Sequence, residues 1–323
     1  MSFLQYAMKN WKIKTAVTIC GNVKTHDEEI KDRMERRGWV LGARFQTTEE
    51  AISEVMGGRA SVILVEDTRT LPTPLVLRQL MATPLGFMTP VLASNWNTNQ
   101  FENSCMHSFG VGAFYLEPSS PSKFIEHFEH LIQSWTDEDR LNLYRAGLGI
   151  VMGKQAFTVK TLNSLITNKD PRVRVNAGIA MGKFFEASNL KTAEKLLLNL
   201  LSHSKKHMGV VLSLVDLYLR NAMPGYAIRL LNNAYENYNE PRMLLPDLAQ
   251  SYLLLNEPAQ AIPIFKKMVD EDYLADVGEM VLPRLYYCQG YESEFNQLVR
   301  SSPGASMQYD LAWGKSTSPK KTG

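Results

Sequence analysis

The sequence predicts two architectures in series: an α/β unit built on a parallel sheet, then an all-α array of stacked helix pairs. Three observations predict it. Short apolar, β-branched runs alternate with helical patterns from Thr15 to Trp135. The strand signal vanishes at Thr136. From there, small residues recur at an almost constant interval.

The front third reads as five strand–helix steps. Thr15–Cys20 is a strand ending at Gly21-Asn22, and Asp27–Arg37 is a charged helix stopped by Gly38. Val40–Phe45 is the second strand, and Thr48–Met56 a helix capped by Thr47 or Thr48 and closed by Gly57-Gly58. The third strand, Ala60-Ser-Val-Ile-Leu-Val-Glu66, has five apolar positions in its first six and then delivers Glu66 and Asp67. Such a run is expected of a central parallel strand, whose carboxyl end faces the ligand side of an open sheet. Pro74–Met81 is a helix opened by proline. Pro90–Ser94, Asn99–Phe109, Gly112–Glu117 and Ser122–Trp135 complete the alternation as strand, helix, strand and helix. Five strands in about 120 residues, with helices between them, predict a flavodoxin-like sheet of order 2-1-3-4-5.

Behind Thr136, the small residue opening the second helix of each unit falls at Thr158, Ala193, Ala227, Ala261 and Phe295, at intervals of 35, 34, 34 and 34 residues. A small side chain at that point lets two helices approach closely, while larger side chains fill the space between units. The predicted division is a lead-in over 1–13, the α/β unit over 14–135, about five helix pairs over 136–303, and a tail over 304–323. The tail is rich in Ser, Gly, Pro and Lys and is expected to be disordered.

Composition excludes several function classes. A 45% hydrophobic and 21% charged chain is that of an ordinary globular protein, and a net charge of +2 does not suit nucleic acid or an acidic membrane. Part of that charge sits on Lys315, Lys320 and Lys321. No apolar run approaches the roughly 18 residues of a membrane span, and Met1–Lys14 lacks a signal-peptide pattern. Cys20, Cys105 and Cys288 are odd in number and widely spaced, so free buried thiols in a reducing compartment and a cytoplasmic location are expected. His127/His130 and His203/His207 lie one helical turn apart without further ligands, and no nucleotide-loop or hydrolase motif is present. No cofactor, metal or catalytic residue is therefore expected.

Two resemblances sharpen this reading. Gly112-Ala-Phe-Tyr-Leu-Glu-Pro118, Thr89–Ser94 and the strand ending at Glu66 resemble the closing signature, fourth strand and phosphoacceptor strand of bacterial response-regulator receiver domains. The resemblance implies a phosphorylation pocket at Gly21, Asn22, Glu66, Asp67, Ser94 and Glu117, and implies that this pocket is degenerate. Gly21 and Asn22 replace the acidic pair that holds Mg²⁺. Glu66 is one methylene longer than the nucleophilic aspartate, and Glu117 replaces a lysine. Ser94 alone keeps its type. Asp67 is the alternative nucleophile if the register shifts by one, and it would lack the same partners. Glu66 as a phospho-mimic is the sharper reading of this strand end; a solvated acid on a docking module is the simpler one.

The second resemblance is to tetratricopeptide (TPR) repeats. It is clearest over Arg242–Tyr273, where Ala249, Tyr252, Asn256, Ala261 and Phe265 match, and it continues in Tyr218, Ala227, Leu231, Ala234, Tyr286, Gly290 and Leu298. Asp170–Gly182 resembles a HEAT-repeat helix equally well. The TPR pattern implies a concave, partner-binding face that includes Arg140, Phe185, Asp216, Arg220, Gln250, Leu253, Arg284 and Tyr287, with aromatic anchors and arginines to pair carboxylates. The expected function is a non-enzymatic signalling adaptor of a two-component system. It would bind protein partners through the TPR-like face and through the receiver's fourth helix, fifth strand and fifth helix (Gln100–Trp135), docking the receiver on a second protein, on itself as a homodimer, or on the solenoid. The alternative is a phosphorylation-gated response regulator with a repeat output; reaction with a small-molecule phosphodonor and Mg²⁺ separates the two.

Overall fold

The computed structural model describes residues 14–19, 28–57, 59–66, 73–83, 89–94, 113–115, 121–135, 138–204, 207–237 and 242–301. Within them lie five parallel strands: β1 (Thr15–Ile19), β2 (Val40–Phe45), β3 (Val62–Val65), β4 (Val91–Ser94) and β5 (Ala113–Tyr115). Their order is β2-β1-β3-β4-β5. Strand β3 is buried along its whole length, as its unbroken apolar run requires, and the edge strand β2 is more exposed than β3. The segment 99–109, read as a helix from sequence, lies outside the described residues.

Alternation along the strands sorts the sheet's two faces. Ala16, Val62, Leu64 and Leu92 point to one side, where α1 (Glu28–Glu35) and α4 (Pro121–Trp135) supply Met34, Phe124, Ile125, Phe128 and Leu131. Trp39 closes this layer edge-on against Phe128, with ring centroids 5.0 Å apart. Val17, Ile19, Ile63, Val65, Val91 and Ala93 point to the other side. There α2 (Thr48–Met56) and α3 (Thr73–Ala82) supply Ala51, Ile52, Val55, Val76, Leu77, Leu80 and Met81.

The remainder is a TPR-like array of five helix pairs among the described residues: α5 (Glu138–Val151) with α6 (Gln155–Leu165), α7 (Pro171–Glu186) with α8 (Leu190–His203), α9 (Met208–Arg220) with α10 (Pro224–Asn237), α11 (Leu245–Leu254) with α12 (Pro258–Asp270), and α13 (Ala275–Gln289) with α14 (Glu292–Ser301). First helices also stack on first helices, α5 on α7 and α7 on α9. Thr158, Ala193, Ala227 and Ala261 are fully buried at the expected crossings, whereas Phe295 in the last pair is half-buried. The close approach is acute between α7 and α8: a Cβ on Gly178 would meet the Leu200 side chain at 2.5 Å.

The backbone repeats with the sequence. The α9/α10, α11/α12 and α13/α14 turns each close with an amide donating to the carbonyl five residues earlier: Met223 to Tyr218 at 2.8 Å, Glu257 to Tyr252 at 2.9 Å and Tyr291 to Tyr286 at 2.9 Å. A left-handed residue precedes each donor, Ala222, Asn256 and Gly290, with φ of 54°, 58° and 72°. The α5/α6 turn matches, with Lys154 bonding Gly149 at 2.8 Å and Gly153 at φ 66°. The α7/α8 turn departs: Asn189 donates to Phe185 instead, and its side chain caps α8 by accepting from Thr192 N at 3.0 Å. The pair that resembles HEAT in sequence is also the pair whose turn differs.

Of these left-handed positions, Ala222 alone carries a Cβ with no polar group to satisfy locally. The conformation costs an alanine about 1–2 kcal/mol, and a glycine gives back roughly 0.5–1 kcal/mol of it as lost chain entropy. Ala222→Gly should therefore raise stability by about 0.5 kcal/mol, and Ala222→Val should lower it by more than about 1 kcal/mol. Urea unfolding checks the order, and a Val variant as stable as the Gly variant contradicts it.

Candidate functional site

The most heavily charged buried site joins the two architectures. Arg78 projects from α3 into a notch between α9 and α11. Its Nη1 donates to Asp216 Oδ2 at 2.9 Å, its Nη2 donates to Asp216 Oδ1, and its Nε donates to Asp247 Oδ2 at 2.8 Å. The three side chains are 11%, 13% and 14% exposed. All three guanidinium nitrogens are thus engaged, two in a fork on one carboxylate and the third on a carboxylate of the next repeat. Leu75, one turn before Arg78, packs against the cluster that holds Leu245 and Ala249 of α11. The sheet face carrying α2 and α3 belongs to one continuous apolar cluster with the helical array.

Lys183 of α7 completes the cluster. Its side chain is 5% exposed, its Nζ lies 3.9 Å from Asp216 Oδ2, and it makes no hydrogen bond among the described residues. On the rim, Arg220 donates to Glu186 Oε2 at 2.9 Å. Three cations, Arg78, Lys183 and Arg220, thereby face three anions, Asp216, Asp247 and Glu186. Electrostatics treats them unequally. Burial opposes charging Arg78, but Asp247 and Asp216 outweigh it and raise its pKa further. Burial pushes the Asp216 carboxyl up, and Arg78, Lys183 and Arg220 outweigh that and hold it below its ordinary value. Lys183 is pushed down to about 8 by burial and by the cations Arg220 and Arg78, which Asp216 offsets only in part.

Among the residues expected to form a concave face, Asp216 is therefore engaged within the chain, Arg220 pairs with Glu186, and Phe185 is half-buried against its neighbour Phe184. Arg140 is half-buried on α5. Gln250, Leu253, Arg284 and Tyr287 are exposed, Leu253 and Tyr287 each by 36%. Each of these two pairs sits at equivalent positions of α11 and α13, 34 residues apart. The intramolecular contact runs through α3. Of the face expected to dock, the described parts are β5, which ends the sheet beside β4, and α4, which covers the opposite side of the sheet from α3 and meets α5 at the junction between the two architectures.

At the carboxyl edge of the sheet, the Glu66 amide extends the β1–β3 pairing by donating to Ile19 O at 3.0 Å. Its carboxylate forms an ion pair with Arg44 near the end of β2, 10% exposed against 26% for Glu66. Ser94 ends β4 in register with Tyr115. Gly21, Asn22, Asp67 and Glu117 lie outside the described residues, as do Cys20 and Cys105, while Cys288 is a free thiol that is exposed rather than buried as expected, because it lies on the solvent side of α13. Sequence reasoning missed Arg44, Arg78, Lys183 and Asp247. The signal for the first two was a lone arginine inside an otherwise apolar strand and helix.

Among the described residues no group of three or more His, Cys, Asp or Glu side chains is placed to hold a metal ion, and no helix is long and apolar enough to cross a membrane. No protein-family model matches the sequence, and no curated protein matches it. Among solved structures, a tetratricopeptide repeat protein from Parabacteroides merdae is similar over 86% of this chain and 94% of its own, at 12% identity and a TM-score of 0.36. At that score the likeness assigns nothing, and the TPR-like description rests on the helix pairs and their recurring turn.

The depressed Lys183 gives a signed expectation. With a folded value of about 8 against an ordinary 10.5, the unfolded chain binds more protons between those limits. Stability should therefore rise as pH climbs from about 8 to 10.5, and the cost of the buried ammonium should be complete below pH 8. Lys183→Met should abolish that alkaline rise, since it removes the group that titrates there. Denaturant unfolding of both chains from about pH 7 to 10.5 checks it; a variant with an unchanged pH slope contradicts it.

Proposed function

We propose that this chain is a non-enzymatic, cytoplasmic scaffold: a receiver-like unit over 14–135 that has lost phosphoryl chemistry, fused to a TPR-like array over 136–303 that binds protein partners. The observation that carries the reading is the division of the array's inward positions. Those near α3 are filled from within the chain, and the equivalent positions of α11 and α13 present Gln250, Leu253, Arg284 and Tyr287 to solvent. Apolar anchors flanked by arginine suit an extended or helical peptide bearing carboxylates. Leu254, Val277, Met280 and Tyr291 are exposed on the same two repeats and their turns, more large apolar surface than scattered single residues account for.

The Arg44–Glu66 pair supports loss of phosphoryl transfer. A guanidinium fixed on the carboxylate at the end of β3 neutralises the group that would have to attack phosphorus or bind Mg²⁺. It also supplies a cation that the sequence pattern around Glu66 did not reveal, so the charge on Glu66 is balanced and its phospho-mimicry is weak. The pathway would be that of a two-component signalling adaptor, and self-association through the face over Gln100–Trp135 would make it a homodimer.

Immobilised full-length protein should retain a protein partner, and the double substitution Leu253→Asp/Tyr287→Asp should reduce retention about tenfold, as removal of a hot-spot anchor does. Equal retention by both chains contradicts this face as the binding surface.

A further inference from the structure

We infer that the Asp216–Asp247 notch is an arginine-recognition site of the helical array, occupied in cis by α3, and that it accepts an apolar helix bearing an arginine from a protein partner when α3 gives way. The inference rests on the proposed partner-binding role of the array and names the chemistry of one of its ligands.

The notch is built as a receptor for a guanidinium. Its two carboxylates come from the first helices of consecutive repeats, 31 residues apart in sequence, and converge on a single guanidinium. With Arg78 removed, Asp216, Asp247 and Lys183 would leave one net negative charge buried, so the notch requires a cation. A lysine would satisfy it poorly. One ammonium cannot match the Nη1/Nη2 fork on Asp216 while also donating from a separate nitrogen to Asp247. What α3 brings is a ten-residue helix with Leu75 and Arg78 spaced i, i+3 toward the array. That is how an amphipathic helix is read in a groove.

The contact is also suited to exchange. Lys183 stays buried beside Arg78 without a hydrogen bond among the described residues, so the cluster is electrostatically satisfied for the arginine and less so for its neighbour. A buried ion cluster of this kind adds specificity while contributing little net stability. Around it, α3 holds the sheet through Val76, Leu77, Leu80 and Met81, so releasing the notch displaces the front unit as a body about the α4–α5 junction. The same event would free Asp216 and the surrounding face of the array for the partner.

A fluorescein-labelled peptide of residues 73–84 titrated into the full-length chain tests this by fluorescence anisotropy. The Arg78→Glu chain, whose own α3 is repelled by the notch, should bind the peptide at least about tenfold more tightly than the wild-type chain. A peptide carrying Glu at its arginine position should lose that affinity. If Arg78→Glu does not fold, as judged by circular dichroism, Arg78→Lys is read in the same titration, since it keeps the charge but loses the fork. A folded variant that binds no peptide, or binds the Arg and Glu peptides equally, overturns the inference. Partner retention that still depends on Leu253 and Tyr287 in such a case leaves the scaffold reading standing.

Discussion

The pairing of Arg78 with Asp216 and Asp247 is the constraint on which the arrangement of this molecule depends. A guanidinium 11% exposed is stable only where carboxylates replace its lost water, and these two belong to separate repeats. Meeting that requirement fixes α3 against α9 and α11 at once. Helix α3 also covers one face of the sheet, so the same contact orients the front unit on the array. The apolar side chains around it then form one continuous cluster from β1 to α11. Apolar burial supplies the bulk of the attraction, and the charges set the register.

This geometry changes what each half can do. A parallel sheet offers chemistry at the carboxyl ends of its strands, and here that edge holds Glu66 neutralised by Arg44. A helical array offers an inward face, and here part of that face is covered by the chain's own helix. The exposed Leu253 and Tyr287 lie beyond α3, on the last repeats. The two halves are therefore coupled: any partner that needs the covered portion must compete with an intramolecular ligand, and one that uses the open portion need not.

Periodic features were legible in the sequence. Tyr218, Tyr252 and Tyr286, with Asn256 and Gly290 behind the last two, marked the repeat turn because each repeat must reverse its chain in the same way. Val62–Val65 announced a central strand because burial on both faces leaves no polar position. Asp216 was singled out as an inward position, but its partner lies 138 residues away, and Asp247 lies 169 residues from the same arginine. Ion pairs between distant segments follow no period, so neither propensity nor pattern reveals them. Arg44 and Arg78 were visible only as solitary charges in apolar elements. A buried arginine demands a carboxylate, but nothing local says which. The contact face was missed for the same reason: α3 looked like any amphipathic helix of an open sheet until its arginine had a destination.

Dependence of the two halves on this ion pair makes Arg78 and Asp216 energetically coupled, and a double-mutant cycle measures that coupling directly. Equilibrium unfolding of the wild type, Arg78→Ala, Asp216→Asn and the double variant isolates the pairwise contribution. A forked, nearly buried ion pair predicts a coupling of at least about 1.5 kcal/mol, with the double variant less damaged than the sum of the single ones. Additive effects within about 0.5 kcal/mol would show that α3 and the array are held by apolar contact alone.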